Sequence, residues 1–168
     1  MANLLEEASI LLTPTAYDNG RMLAVKPEIA LGEELITNGD FANGTTGWIT
    51  TNGSITVTNG EATILGNSAN GGVYQSLAQA GVTYFVEIEV LSINSGNWYA
   101  GGYITNTYSI DNTGKFSFYY TSTGTGFHIL SSGGAGSITI GNVSVKEDLS
   151  GDFTFSRNSA ATRVNAQG

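Results

Sequence analysis

Over residues 82–91 the chain alternates without a slip. Val82, Tyr84, Val86, Ile88 and Val90 share one parity, and Thr83, Phe85, Glu87, Glu89 and Leu91 share the other. Successive side chains of an extended backbone point to opposite faces, so the pattern predicts an antiparallel strand with one face buried. A helix would scatter the same residues around its circumference. Neighbouring segments carry the same signature at close spacing, with turn chemistry between them. Residues 54–58 and 62–65 flank Asn59-Gly60, a pair that accepts the positive φ angles of a two-residue hairpin turn. Further strands are predicted at 35–37, 73–77, 97–104, 116–121 (Phe116, Phe118 and Tyr120 inward) and 127–131.

The last apolar segment changes phase. Ile138 and Ile140 share one parity and Val143 and Val145 the other, so a one-residue bulge at Gly141 is predicted, which keeps all four inward. Roughly eight short strands, and 23 glycines for their turns, predict an all-β fold, an antiparallel β-sandwich. Outside it, residues 9–27 read as a hairpin or paired extended segments. Pro14 interrupts the first, and Asp18-Asn19-Gly20 marks the turn. A short helix over 3–12 is the competing reading.

Composition removes several classes of function. Fourteen acidic against six basic residues leave a net charge of −8, which repels a phosphate backbone, so nucleic acid is not an expected partner. There is no cysteine, hence no disulfide framework and no thiolate metal site. The first dozen residues lack a basic start, and no apolar run approaches the ~20 residues that span a bilayer. Synthesis in a cytoplasm without membrane insertion is expected. Only 12% of residues are charged, so the surface between 35 and 145 rests on hydroxyl and amide groups.

Two motifs bracket the central block. Asn38-Gly39-Asp40-Phe41 with Gly47-Trp48 opens it, and Ile138-Thr139-Ile140-Gly141-Asn142-Val143-Ser144-Val145 closes it. With GGVYQSL at 71–77 they resemble carbohydrate-binding modules of the galactose-binding-like jelly-roll kind, over residues 33–147. Those modules usually have aspartate where Gly141 stands, and that aspartate often serves a structural calcium ion. Asp40 is the remaining carboxylate candidate, against the six to eight oxygens calcium takes, so no cofactor is expected and calcium stays doubtful.

Sugar recognition needs an aromatic face for the apolar side of a pyranose and amides or carboxylates for its hydroxyls. NSGNWYAGGYITNTY at 94–108 supplies Trp98, Tyr99, Tyr103 and Tyr108 with Asn97 and Asn106, and these are the candidate glycan contacts, Trp98 foremost. Ordinary cross-strand packing of the same rings is the alternative. Trp48 is expected in the core, sealing one end. Glu87 and Glu89 sit about 7 Å apart on one strand face and point the same way, so they cannot flank a glycosidic bond. His128, the single histidine, is expected outward or at the sandwich edge. With no partner for a triad or a metal, an enzyme is not expected.

The flanks carry a second resemblance. TPTAYDNGRMLAVKP at 13–27 and SRNSAATRVN at 156–165 are similar to attachment segments of bacteriophage tail-fibre and other virion structural proteins. In those proteins the two pieces run nearly together; here the sandwich separates them. That implies an N-terminal arm (1–32), an inserted sandwich (33–147) and a C-terminal arm (148–168) completing the attachment region. The implied role is a virion decoration or fibre-anchoring protein assembled in the host cytoplasm. Its partners would be other virion proteins and copies of itself, a homotrimer favoured, with cell-surface glycans as targets. Arg157, Asn158 and Arg163 are the candidate assembly contacts. A purely architectural capsid or tail module without a sugar site is the alternative function, and a glycan-processing enzyme the least supported.

Overall fold

The computed structural model describes residues 30–105 and 107–150. Their nine strands are β1 (Leu31–Glu34), β2 (Ile49–Thr51), β3 (Gly53–Thr58), β4 (Glu61–Gly66), β5 (Gly72–Ser76), β6 (Thr83–Gly101), β7 (Thr107–Ile110), β8 (Gly114–Thr121) and β9 (Gly126–Asp148). Every pairing between them is antiparallel. The fold is an all-β sandwich, as predicted. Most of both flanking arms, residues 1–29 and 151–168 with Arg157, Asn158 and Arg163, lies outside the described residues, as does the competing helix over 3–12.

Two long strands form the spine. β6 and β9 pair along almost their whole length, from Tyr84 opposite Glu147 to Gly101 opposite His128. β8 and then β7 line the far side of β6, while β5, β4 and β1 line the far side of β9. Midway the spine bends. Its register shifts repeatedly between Glu89 and Asn97, and Gly96 (φ 75°) and Gly133 (φ 77°) adopt left-handed backbone. A Cβ on Gly96 would stand 2.8 Å from the Cα of Gly136, so the bend needs glycine for space as well as conformation. Beyond it each strand enters the other layer, the usual way a corner is turned in a folded-over sheet. One layer is β2, β5, the start of β9, the end of β6, and β7. The other is β1, β3, β4, β8 and the remaining halves of the spine.

The core lies between the layers. Tyr84, Val86, Ile88 and Val90 point into it, as the alternation predicts, and meet Ile138, Ile140, Val143 and Val145 of β9. The bulge stands at Gly141: Glu89 faces Asn142 and Val90 faces Ile140, so Gly141 is the extra residue and all four β9 side chains stay buried. Each such Ile or Val contributes about 1.5–3 kcal/mol by leaving water. The Asn59-Gly60 hairpin is also as predicted, with φ of 53° and 80°.

Several boundaries differ from the prediction. The segment expected at 97–104 is the end of β6 and stops at Gly101, while 127–131 and 137–146 are one strand. Their serine- and glycine-rich joints read as loops, yet bulged pairing carries the ladder across them. β2 and β7 are too short to show a period. The first strand is Leu31–Glu34; residues 35–37 follow it as loop, because Gln75 takes the backbone of Thr37. Its Oε1 accepts from Thr37 N (3.0 Å), and its Nε2 donates to Thr37 O (2.8 Å).

The opening motif is a plug at one end. Asn38 (φ 57°) donates through Nδ2 to Gly44 O and Thr46 O and accepts at Oδ1 from Asn43 N, which fixes the loop 38–47. Phe41 and Trp48 are buried and stack at 5.5 Å, and the Trp48 indole N–H donates to Asn38 O. Trp48 is thus in the core, as expected.

Candidate functional site

Parity along β6 separates the sequence candidates. Trp98, Ala100 and, on β7, Tyr108 face the core, while Asn97, Tyr99, Thr107 and Ser109 face out. Trp98 is only 1% exposed and its indole N–H donates to Ser95 O at 3.0 Å. Its ring therefore has no free face to offer a sugar, a correction to its place as foremost contact. Tyr108 is half-buried and stacks flat on Phe118, with centroids 4.5 Å apart. It too packs the sandwich. Asn106 lies outside the described residues.

The outward candidates share the open face of the layer β2–β5–β9–β6–β7. Tyr103, in the loop after β6, is 52% exposed. Its loop is held by a Thr105–Thr123 hydroxyl contact of 2.9 Å. Tyr99 is 8% exposed, and its hydroxyl donates to Asn70 Oδ1 at 2.8 Å. Burial, then the neighbouring Tyr103, raises its pKa above the usual phenol value, so it stays a neutral donor. Asn97 is exposed on the same face.

What the sequence did not reveal is the neighbour of Tyr103. Tyr74 of β5 and His128 of β9 are cross-strand partners whose rings stack at 5.2 Å and 19°. Tyr103 also meets the imidazole, at 5.3 Å and 56°. The three rings border a depression of about 320 Å³ whose rim includes Ser76, Thr123 and Thr125. Burial lowers the pKa of His128, opposed by backbone hydrogen bonds with Gly126 and Gly101. The ring is accordingly favoured neutral. Alternation within 72–77 and 126–132 would have put both residues outward, but only strand pairing makes them adjacent.

A second depression, about 490 Å³, lies on the same face toward β7 and is bordered by Asn97, Tyr99, Thr107, Ser109, Asp111 and Ser132. Trp98 also borders it without exposing its ring. Ser109 donates to Asp111 Oδ1 at 2.8 Å. Among the described residues, Asp111 is the one charged group bordering either depression. The face thus joins aromatic rings to hydroxyls, an amide and a carboxylate, chemistry suited to a neutral, hydroxyl-rich ligand.

The other acidic residues are arranged differently. Glu87 and Glu89 stand on the outer face of the opposite layer, and Glu89 meets Lys115 at 3.7 Å. Asp40 Oδ1 accepts from Ala42 N at 3.2 Å in the plug loop. Among the described residues, no three His, Asp or Glu side chains stand together as a metal cluster.

No protein-family model matches the chain, and no curated protein does. Similar solved structures are carbohydrate-binding modules. One is the CBM22-1 xylan-binding domain of Xyn10C from Paenibacillus barcinonensis, at TM-score 0.48 and 12% identity, covering 70% of this chain and 96% of that one. Another holds the CBM22-1 and GH10 modules of the Clostridium thermocellum xylanase 10B with xylohexaose (TM-score 0.48, 15% identity, 76% of this chain, 30% of that one). A CBM4 structure matches at TM-score 0.43 and 17% identity, over 67% of this chain and 99% of that one. Xylan is the named ligand of the first of these and xylohexaose of the second.

Proposed function

We propose that this protein is a non-catalytic glycan-binding module whose contact surface is the open face of the β2–β5–β9–β6–β7 layer. The observation that carries this reading is the Tyr74–His128–Tyr103 cluster, an aromatic platform bordered by uncharged hydroxyls. A pyranose would lie with its C–H face on Tyr103 and the Tyr74 edge. Its hydroxyls, or those of the next unit, would reach Asn97, Ser109 and Asp111. Among the described residues a single carboxylate borders the face, so hydrolysis by a facing pair has no support from them.

We place this module on a bacteriophage particle, as a decoration or fibre-anchoring protein that associates with other virion proteins and with copies of itself, a trimer favoured. The flanking strings at 13–27 and 156–165 are the basis for that. The ends of the described segment also touch: Leu149 N donates to Ala30 O at 2.8 Å. Neighbouring termini suit a domain inserted between two halves of an attachment region.

The architectural reading retains one observation in its favour, the burial of Trp98 and Tyr99. A glycan array probed with the intact chain and with Tyr103→Ala separates the two. Glycan binding predicts selective signal for neutral oligosaccharides, weakened at least about tenfold by the substitution, as loss of a ring contact of about 1.4 kcal/mol implies. A blank array, or binding indifferent to Tyr103, would leave the sandwich as a spacer.

A further inference from the structure

β3 is the outermost strand of its layer and pairs only with β4 among the described residues. The Asn59-Gly60 turn closes on Thr58 and Glu61. The pairs Thr58–Glu61, Thr56–Thr63 and Ser54–Leu65 therefore exchange the ladder bonds. The N–H and C=O groups of Ile55 and Val57 alternate with these and point away from β4. No turn or loop backbone among the described residues bonds to them.

Native sheets guard such an edge, because an open one pairs with another strand. At the other margins of this sheet the guards are visible. β1 carries Glu33 and Glu34, β8 carries Lys115, and β2 and β7 are three and four residues long. β3 has six residues, no charge and no proline, and its register with β4 runs unshifted, so it lacks a bulge as well. The consecutive β-branched residues Ile55, Thr56, Val57 and Thr58 suit it to a ladder. Its side chains are also sorted. Ser54, Thr56 and Thr58 are exposed, while Ile55 and Val57 are half-buried against the core.

We propose that β3 is a docking edge for β3 of a second copy of this chain, joined antiparallel about a two-fold axis at Thr56. Bonding through the outward groups of Ile55 and Val57 sets the register, with Thr56 opposite its own copy. Ile55 then meets Val57 on the core side, and Ser54 meets Thr58 outside, so apolar faces apolar and hydroxyl faces hydroxyl. The pairing continues the sheet from one copy to the next and covers the half-buried Ile55 and Val57 of both. Charge selects a second copy as the occupant. At a net −8 most approaches of two copies are repulsive, and β3 offers one that brings no charged side chain of the strand against its copy. The contact belongs to the sandwich, so it stands apart from the association ascribed to the flanking arms.

The test uses the intact chain, which has no cysteine of its own. In this register the two Thr56 Cα atoms would stand about 4.5 Å apart, within disulfide reach, and the two Thr58 Cα atoms about 13 Å apart, beyond it. Thr56→Cys should therefore form disulfide-linked pairs under mild oxidation, seen on a non-reducing gel, and Thr58→Cys should not. Thr56→Lys sets like charges opposite each other and should raise the dissociation constant of the pair at least about threefold in sedimentation equilibrium. Thr56 is exposed, so the lysine form should keep the parent circular-dichroism spectrum. No linked pairs from Thr56→Cys would overturn the proposal, as would equal linking from Thr58→Cys. An association that Thr56→Lys leaves unchanged would overturn it too, because the contact would then lie elsewhere.

Discussion

Replacing Gln75 tests how the end plug is fastened to the sandwich. Its side chain is buried and completes a two-bond amide pairing with the backbone of Thr37. Gln75→Leu keeps the approximate volume and removes both partners. It leaves Thr37 with an N–H and a carbonyl whose partners are gone, each worth about 1–3 kcal/mol if it stays dry. Since Thr37 itself is exposed, water recovers part of this, and about 2–3 kcal/mol is the expected loss. For a chain of this length that lowers Tm by roughly 4–12 °C.

Gln75→Glu carries the sharper signature. As a carboxylate it still accepts from Thr37 N, but it turns a second oxygen toward Thr37 O. Protonated, it supplies one acceptor and one donor and restores both bonds. Its folded pKa must therefore lie above the unfolded value of about 4.3. The deficit is full above the folded pKa and disappears as pH falls below about 4.3. The assay is urea unfolding of parent, Leu and Glu forms across pH 4 to 8, compared as differences to cancel the other carboxylates. A Leu variant within about 0.5 kcal/mol of the parent, or a Glu variant whose deficit does not shrink with acid, would refute the reasoning.

Two further predictions use the same stability assay. Gly39→Ala should lose about 2–4 kcal/mol, because its Cβ would stand 2.0 Å from Val143 O and disturb the Val143 N to Gly39 O bond. Gly141→Ala should change stability by less than about 1 kcal/mol, since the bulge glycine has no left-handed φ and its Cβ would meet nothing nearer than the Leu91 methyls at 3.3 Å. His128 has its folded pKa lowered by burial, so the unfolded chain binds its proton more readily. The parent should therefore lose stability relative to His128→Phe as pH falls from about 6.5 toward the folded pKa, and keep it in full above 6.5; parallel pH curves would contradict this.

Much of the fold was legible because a buried strand face imposes a period of two on the residues themselves. Val82–Leu91, the Asn59-Gly60 hairpin and the Gly141 bulge needed no partner to be read. Trp98 shows where that reading stops. Its aromatic, amide-rich surroundings suit a sugar site, but its parity on a strand that continues unbroken from Thr83 turns it inward, and composition alone placed a loop in that strand. Asn97 and Tyr99 turn outward for the same reason.

What the sequence determined by itself was therefore local: strand character, turn chemistry, a neutral hydroxyl-rich surface, and the end-sealing Trp48. Only the tertiary structure decided the site. Tyr74, Tyr103 and His128 come from three separated segments and become neighbours through strand pairing and the loop after β6. β7 and β8 come to flank the same side of β6 because that strand is long enough to pair with both. Such adjacency is set by register and by a bend at glycines, and neither is written in the side chains that the bend brings together.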